Sequence, residues 1–393
     1  MIYDPYSRPF QEDPYPLYAQ FRDEDPCAYN PEMDFYALFR FADVWDATLD
    51  WETMSSSLGP TLESRGQVDS DFFSIIGMDP PRHTRLRNIV SRGFTPRRIA
   101  ALEKEIRALA RGYLDRLEDE GTFDFQQAFA VRYPMDVISA FLGIPEEDRD
   151  AYRERVDMGL ERDPEAGLDL EATDRLTTSS DYISDLIEER RKDPREDIIT
   201  VLAEAEFEDV DGETRRLTKS ECQGFTNLLA SAGAETTAKL LGHAMFLLWK
   251  HPDQRDWLWE DLGRLPNAIE EILRFEAPSQ YQGRVALRES SWHGVTIPEG
   301  ARVALVTGAA CRDEREFPDP DQFDVRREPD RAIYFGHGHH FCIGKSLARL
   351  ETRIALEEIA SRFPRYEVDE AGLARTYQAH VKGYVNLPIS TGR

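Results

Sequence analysis

The sequence predicts a mainly α-helical fold with a minor β region, organised as one domain over residues 1–393. Three observations predict it. Apolar residues recur at helical spacing through most of the chain. Strand-like alternation is concentrated in residues 283–306. No internal repeat and no Gly/Ser- or Pro-rich linker divides the chain. With 393 residues, 41% hydrophobic and 31% charged, the composition is that of an ordinary globular protein, large enough to enclose a ligand.

The first 95 or so residues mix short helices with a few strands, among which the segment 34–39 has strand composition. A helix is expected from Thr95-Pro96 to near Gly121, with Ile99, Leu102, Ile106, Leu109 and Leu114 on its apolar side. Further helical patterns cover 134–142, 146–160, 173–192 and 196–206. The longest runs from Thr218 to Lys250: Thr218 and Glu221 form a capping box, and His251-Pro252 ends it. Helices at 253–262 and 265–275 follow. Turns are expected at His293-Gly294 and Glu299-Gly300. Residues 308–343 read as an irregular stretch rich in Gly, Pro, Asp and Arg, and a last helix spans 344–363. So long a structureless segment inside a compact domain points to function.

Charge and composition exclude several classes. With 48 Lys and Arg against 74 Asp and Glu, the net charge is −26, which argues against a general nucleic-acid binder. No apolar run approaches the ~20 residues of a helical membrane span. The start, Met1 to Arg8, has neither the basic nor the apolar part of a secretory signal, so the cytoplasm is expected. Cys27, Cys222, Cys311 and Cys342 are far apart and suggest no disulfide framework.

The most informative segment is Phe335-Gly336-His337-Gly338-His339-His340-Phe341-Cys342-Ile343-Gly344. Its glycines allow positive φ and a tight wrap around Cys342, while the helix behind it offers backbone N–H groups and a positive dipole end. Both favour a thiolate that can ligate a metal. Rival readings fit less well. A phosphate loop needs four residues between its glycines, and Gly338 to Gly344 enclose five. A dinucleotide fingerprint would need glycine where Phe341 stands. A zinc site would need a second ligand pair beside the histidines, and none is visible.

This segment resembles the FxxGxxxCxG haem-binding loop of the cytochromes P-450 in their soluble bacterial form, a family in which a cysteine thiolate holds the haem iron. The resemblance extends over nearly the whole chain. Glu271 and Arg274 match the family's ExxR pair, with Arg327 as its third member and Arg326 as the alternative. Ala232-Gly233-Ala234-Glu235-Thr236-Thr237 matches the family's acid–alcohol segment in the long helix. A small-residue packing face would explain that segment if the cysteine loop were not present. His83 and Arg87 match its HxxxR element, Arg284 its strand arginine, and His340 the histidine two before the cysteine. Cys311 stands where the family often has Asn.

The resemblance implies a cytochrome P-450 fold enclosing haem b (iron protoporphyrin IX), with Cys342 as the iron ligand and Phe335 and Gly344 closing its loop. Ala232 and Gly233 would let the helix pass close over the haem. Glu235 and Thr236 would deliver protons to bound O2, the Thr236 hydroxyl bonding a carbonyl one turn back and distorting the helix. His83, Arg87, Arg284 and His340 would hold the propionates. The implied activity inserts one atom of O2 into a mostly hydrophobic organic substrate. Electrons would come from NAD(P)H through ferredoxin reductase and ferredoxin, because the chain has no flavin, nicotinamide or iron–sulfur motif of its own. A peroxide-driven enzyme and a haem sensor are the alternatives; the intact Glu235-Thr236 pair argues against both. Substrate contacts are expected from 72–77, 158–178, Leu229, Ala232-Gly233, 279–283 and His380-Val381. A cationic island of Arg82, Arg97, Arg98, Lys345, Arg349 and Arg353 is expected to receive the ferredoxin.

Overall fold

A computed structural model describes residues 1–64, 74–153 and 180–392. Its axis is the long helix, Lys219–Lys250. Thr218 caps that helix through the backbone of Glu221 while the Glu221 carboxylate bonds back to the Thr218 N–H, as the sequence predicts. The helices Arg132–Leu142, Leu265–Phe275 and Lys345–Arg362 pack against it. Buried Leu240, Leu241, Met245 and Leu248 tie it into the main core. Among the described residues, no helix is long and apolar enough to cross a membrane.

The minor sheet has five strands, in the order Cys27–Asn30, Phe35–Leu38, Arg302–Leu305, Gln282–Ala286 and Met54–Ser55. Only the pairing of Phe35–Leu38 with Arg302–Leu305 is parallel. A second, aromatic core supports this sheet, with Phe21 and Phe39 stacked at 4.5 Å. The expected turns are present: His293, Gly294 and Gly300 all have positive φ. Residues 311–344 carry only one 3-10 turn, Gly338–His340, among coil and turns.

Several expectations need correction. The helix expected from 95 to 121 is two helices, Pro96–Ala101 and Glu103–Leu117. At Leu102 the backbone tightens, its N–H bonding three residues back to Ile99, and the axis restarts. The helix expected at 196–206 covers Ile198–Glu204 and gives way to a hairpin, Glu206–Glu208 with Thr214–Arg216. The pattern at 146–160 opens as a 3-10 turn, Glu146–Asp148, and continues helically to 153. Its remainder, and the start of the pattern at 173–192, lie outside the described residues; Ser180–Lys192 is helical.

An ion cluster joins the helix Glu103–Leu117 to the last helix. Glu358 accepts from Arg107 at 2.9 Å, Arg111 at 3.0 Å and Arg362 at 2.8 Å. Burial raises the affinity of this carboxyl for a proton, but the three guanidinium donors outweigh burial and hold it at about 2. A carboxyl depressed in the folded state stabilises fully above its unfolded value of 4.5, and that stabilisation fades as pH falls toward 2. Glu358→Gln is therefore expected to lower stability by about 1–2 kcal/mol at neutral pH. Urea unfolding should show the difference from the parent shrinking progressively below about pH 4.5.

Candidate active site

The cysteine loop is built by backbone constraint. Gly336 (φ 71°) and Gly338 (φ 65°) adopt the left-handed conformation that favours glycine. A Cβ on Gly338 would also come within 3.2 Å of the Thr48 carbonyl and the Leu49 side chain. The Gly336 N–H bonds to the Ile333 carbonyl at 2.7 Å, and the Cys342 N–H to the Phe335 carbonyl at 2.9 Å, closing the loop on itself. Gly344 then caps the helix Lys345–Arg362. Burial pushes the Cys342 thiol up; the N–H groups of Gly344 and Lys345 at the sulfur, with the Arg87 and Lys345 charges, pull it back.

Two contacts bracing this loop were not expected from the sequence. Trp45 stacks on His337 at 3.6 Å, and the Lys345 ammonium sits 3.4 Å over the Phe341 ring. The first joins residues almost 300 apart, so no local pattern signals it. The second is an i,i+4 pair and could have been read from spacing. Phe335 in turn lies under the Arg349 guanidinium, at 4.8 Å.

Beside the loop the structure gathers His83, Arg87, Arg284 and His340. His83 and Arg87 lie on the helix Arg82–Ser91, and Arg87 donates to the Phe341 carbonyl. The His83 and His340 rings are 4.2 Å apart. His340 Nε2 lies 3.0 Å from the Met78 carbonyl, while His83 Nδ1 is buried without a hydrogen-bond partner among the described residues. Burial first, and then neighbouring positive charge, push His83 down to about 4 and His340 to about 2. Burial likewise lowers Arg284 to about 10, opposed by Asp79, which Ser55 and Ser56 already engage. This is a cluster short of negative charge.

On the long helix, Ala232 is exposed and Gly233, Glu235 and Thr236 are half-buried. The Thr236 hydroxyl donates to the Ala232 carbonyl at 2.7 Å, the bond the sequence predicts. The helix nevertheless runs unbroken from Lys219 to Lys250, so the expected distortion does not interrupt it. Among the described residues, a Cβ on Gly233 would meet only the end of Ile138, at 3.6 Å, and one on Gly344 would meet nothing within 4 Å. Protein packing thus does not require glycine at either position.

The remaining expectations divide. Glu271, Arg274 and Arg327 come together: Arg274 grips Glu271 at 2.6 and 2.8 Å, and Arg327 reaches the same carboxylate at 3.4 Å. Of the expected substrate contacts, 72–73 and 158–178 lie outside the described residues. Val381 stands opposite Ser279 in a β-bridge, whereas the His380 ring packs on Tyr281. The cationic island is smaller than expected. Arg82 pairs with Asp209 and Glu221, Arg349 with Glu270, and Arg353 with Glu103 and Glu357. Acids from distant segments, with Glu357 one turn from Arg353, neutralise these three, while Arg97, Arg98 and Lys345 have no ion pair among the described residues. No group of three or more His, Cys, Asp and Glu suited to a metal ion occurs among the described residues.

Comparison with known proteins decides the family. Residues 170–371 match the sequence profile of cytochrome P-450. The chain is 39% identical over 394 residues to cytochrome P-450 123 of Mycobacterium tuberculosis, covering 99% of this chain and 97% of that protein. The chain belongs to the cytochrome P-450 family. It is also 36% identical over 403 residues to the vitamin D(3) 25-hydroxylase of Pseudonocardia autotrophica, covering 99% and 96% of the two chains. Among solved structures, the Bacillus subtilis cytochrome P-450 PksS superposes with a TM-score of 0.89 at 30% identity, over 100% of both chains.

The fold is therefore the cytochrome P-450 fold, and the protein is a haem-binding oxidoreductase, a monooxygenase of the haem-thiolate kind. As in its family, it acts on hydrophobic substrates with the help of redox partners. The residues present fit the cofactor. A backbone-held thiol, an orphaned imidazole and a cluster short of negative charge suit an iron centre carrying carboxylate groups.

Proposed function

We propose that this protein is a haem b monooxygenase that takes electrons from NAD(P)H through ferredoxin reductase and ferredoxin and oxidises a hydrophobic organic substrate. The Cys342 loop carries this reading. The bound haem would supply the iron chemistry that activates O2. Cys342 would hold the iron as a thiolate, with the N–H groups of Gly344 and Lys345 and the charges of Arg87 and Lys345 offsetting part of the cost of burying that charge.

His83, Arg87, Arg284 and His340 would bind the propionates, whose negative charge answers the shortage in that cluster. Phe335 and Gly344 would bound the cofactor on the cysteine side, with Ala232 and Gly233 on the other. Thr236, anchored at the Ala232 carbonyl, would hold its hydroxyl at the oxygen-binding face, and Glu235 beside it would pass protons inward from solvent. Leu229 and Val381 add apolar surface for the substrate, and the relative named for vitamin D(3) supports a bulky hydrophobic one.

Cys342→Ser is expected to fold and to lose the absorption band that marks a thiolate-ligated haem when reduced and bound to carbon monoxide. Retention of that band would remove Cys342 from the ligand role.

For the redox partner, Arg97, Arg98 and Lys345 are the cations left to attract a small acidic protein to the cysteine side of an otherwise anionic body. Joint reversal, Arg97→Glu with Arg98→Glu, is expected to slow reduction by ferredoxin about tenfold at low salt. Stopped-flow reduction should show the gap closing as ionic strength rises. Equal rates at low salt would move the docking surface elsewhere.

A further inference from the structure

Just past Thr236 the long helix carries two buried titratable side chains that the proposed chemistry does not use. Glu235, Lys239 and His243 recur every four residues, so they follow one another along one face of Lys219–Lys250. Lys239 and His243 are buried, and Glu235 is half-buried. An ammonium in a protein interior needs an opposite charge, or it gives up its proton. Burial pulls the Lys239 ammonium down, and among the described residues the charge that opposes burial is Glu235.

The ammonium is fixed from the other side. It donates to the Tyr384 carbonyl at 3.1 Å. A Cβ on Gly383 would fall 2.6 Å from Lys239 Cδ and 2.8 Å from its Cβ and Cγ, so the glycine admits the lysine stem. The remaining groups around this face do not replace Glu235 as the counter-charge. His243 Nδ1 lies 2.8 Å from the Glu276 carbonyl, and burial keeps that ring neutral. Its Nε2 has no partner among the described residues. Burial also keeps the Tyr384 phenol protonated. Arg375, on the strand paired with Tyr384, and Lys382 only add positive charge. The Glu276 carboxylate is engaged by the Tyr15 hydroxyl at 3.1 Å and by Arg312 at 3.5 Å.

We infer that Lys239 is a positioning residue for the proton relay: its fixed ammonium holds Glu235 as a carboxylate, so that acid carries no proton at rest and takes each one from solvent before passing it toward Thr236. This rests on the haem monooxygenase reading, in which Glu235 is the relay acid. A carboxyl facing a nearby cation favours its charged form. Glutamate one turn before lysine is also the favourable order on a helix.

The test is a pH titration of the ferric holoenzyme by infrared difference spectroscopy, following the protonated-carboxyl band that disappears in Glu235→Gln. In the native protein that band is expected to be absent at neutral pH and to emerge only on acidification. Lys239→Met removes the charge and keeps an apolar stem, whereas Lys239→Gln also keeps a donor for the Tyr384 carbonyl. In both, the midpoint is expected to rise by at least about one pH unit, a tenfold easier protonation. Lys239→Arg keeps the charge and the stem carbons that pack on Gly383, and should titrate as the native protein does. A packing role alone would not separate the neutral variants from the arginine one. A Glu235 band in the native protein at neutral pH, a native midpoint in either neutral variant, or Lys239→Arg titrating with the neutral variants would overturn the inference. Failure of the monooxygenase reading is distinguishable, because the reduced, carbon monoxide-bound native protein would then lack its thiolate band.

Discussion

The structure depends on one buried ion pair. Glu271 and Arg274 are both 0% exposed, one turn apart on the helix Leu265–Phe275, and joined by two short hydrogen bonds. Two charges taken out of water must find further partners, and these find theirs in the irregular stretch. Arg274 donates to the carbonyls of Cys311 and Pro320, while the Glu271 carboxylate accepts the Asp324 N–H and the Arg327 guanidinium. Arg327 donates onward to the carbonyls of Pro318 and Asp319. A segment without helix or strand thus satisfies its backbone groups on a charged pin. Removing one member of such a pair costs about 3–5 kcal/mol, because the other stays buried and uncompensated.

The adjacent acid, Glu270, extends the constraint toward the cysteine loop. Glu270 binds Arg349 through both carboxylate oxygens at 2.6 Å and accepts the Tyr334 hydroxyl at 2.7 Å. Tyr334 directly precedes the cysteine loop and Arg349 lies on the helix after it, so Glu270 braces both flanks. Arg349 also covers Phe335, whose carbonyl takes the Cys342 N–H. Two adjacent carboxylates, pointing to different sides, hold an irregular segment and the loop that presents the sulfur. Preorganisation of this kind lets a loop position a metal ligand that would otherwise need a strand or helix.

Sequence patterns revealed these elements unevenly, for physical reasons. The helix 265–275 and the Thr218 cap were legible because their signals are local: apolar spacing in one, a Thr and a Glu three apart in the other. Arg327 was legible only through family resemblance, since its partner lies 56 residues away. The hairpin at 206–216 had a signal in Asp211-Gly212, where Gly212 has a positive φ, but the preceding helical pattern masked it. The split at Leu102 keeps its apolar spacing while the backbone tightens, so periodicity does not register it. At the site, His83, Arg87, Arg284 and His340 come together beside the cysteine loop, whereas the expected cationic island is partly neutralised. Counting Arg82, Arg349 and Arg353 as free cations ignored acids that the fold brings beside them and, for Arg353, also Glu357 one turn along the same helix.

The Glu271–Arg274 pair, more than any regular secondary structure, holds the cysteine loop and the irregular stretch before it in place. Hydrogen–deuterium exchange on the holoenzyme and on Arg274→Lys tests this most directly, because lysine keeps the charge but cannot form the two-pronged contact. Amide exchange over residues 311–327 and 333–344 is expected to be at least about tenfold faster in the variant, with the interior of the helix Lys219–Lys250 unchanged. Native-like exchange over 311–344 in Arg274→Lys would contradict the role given to the pair.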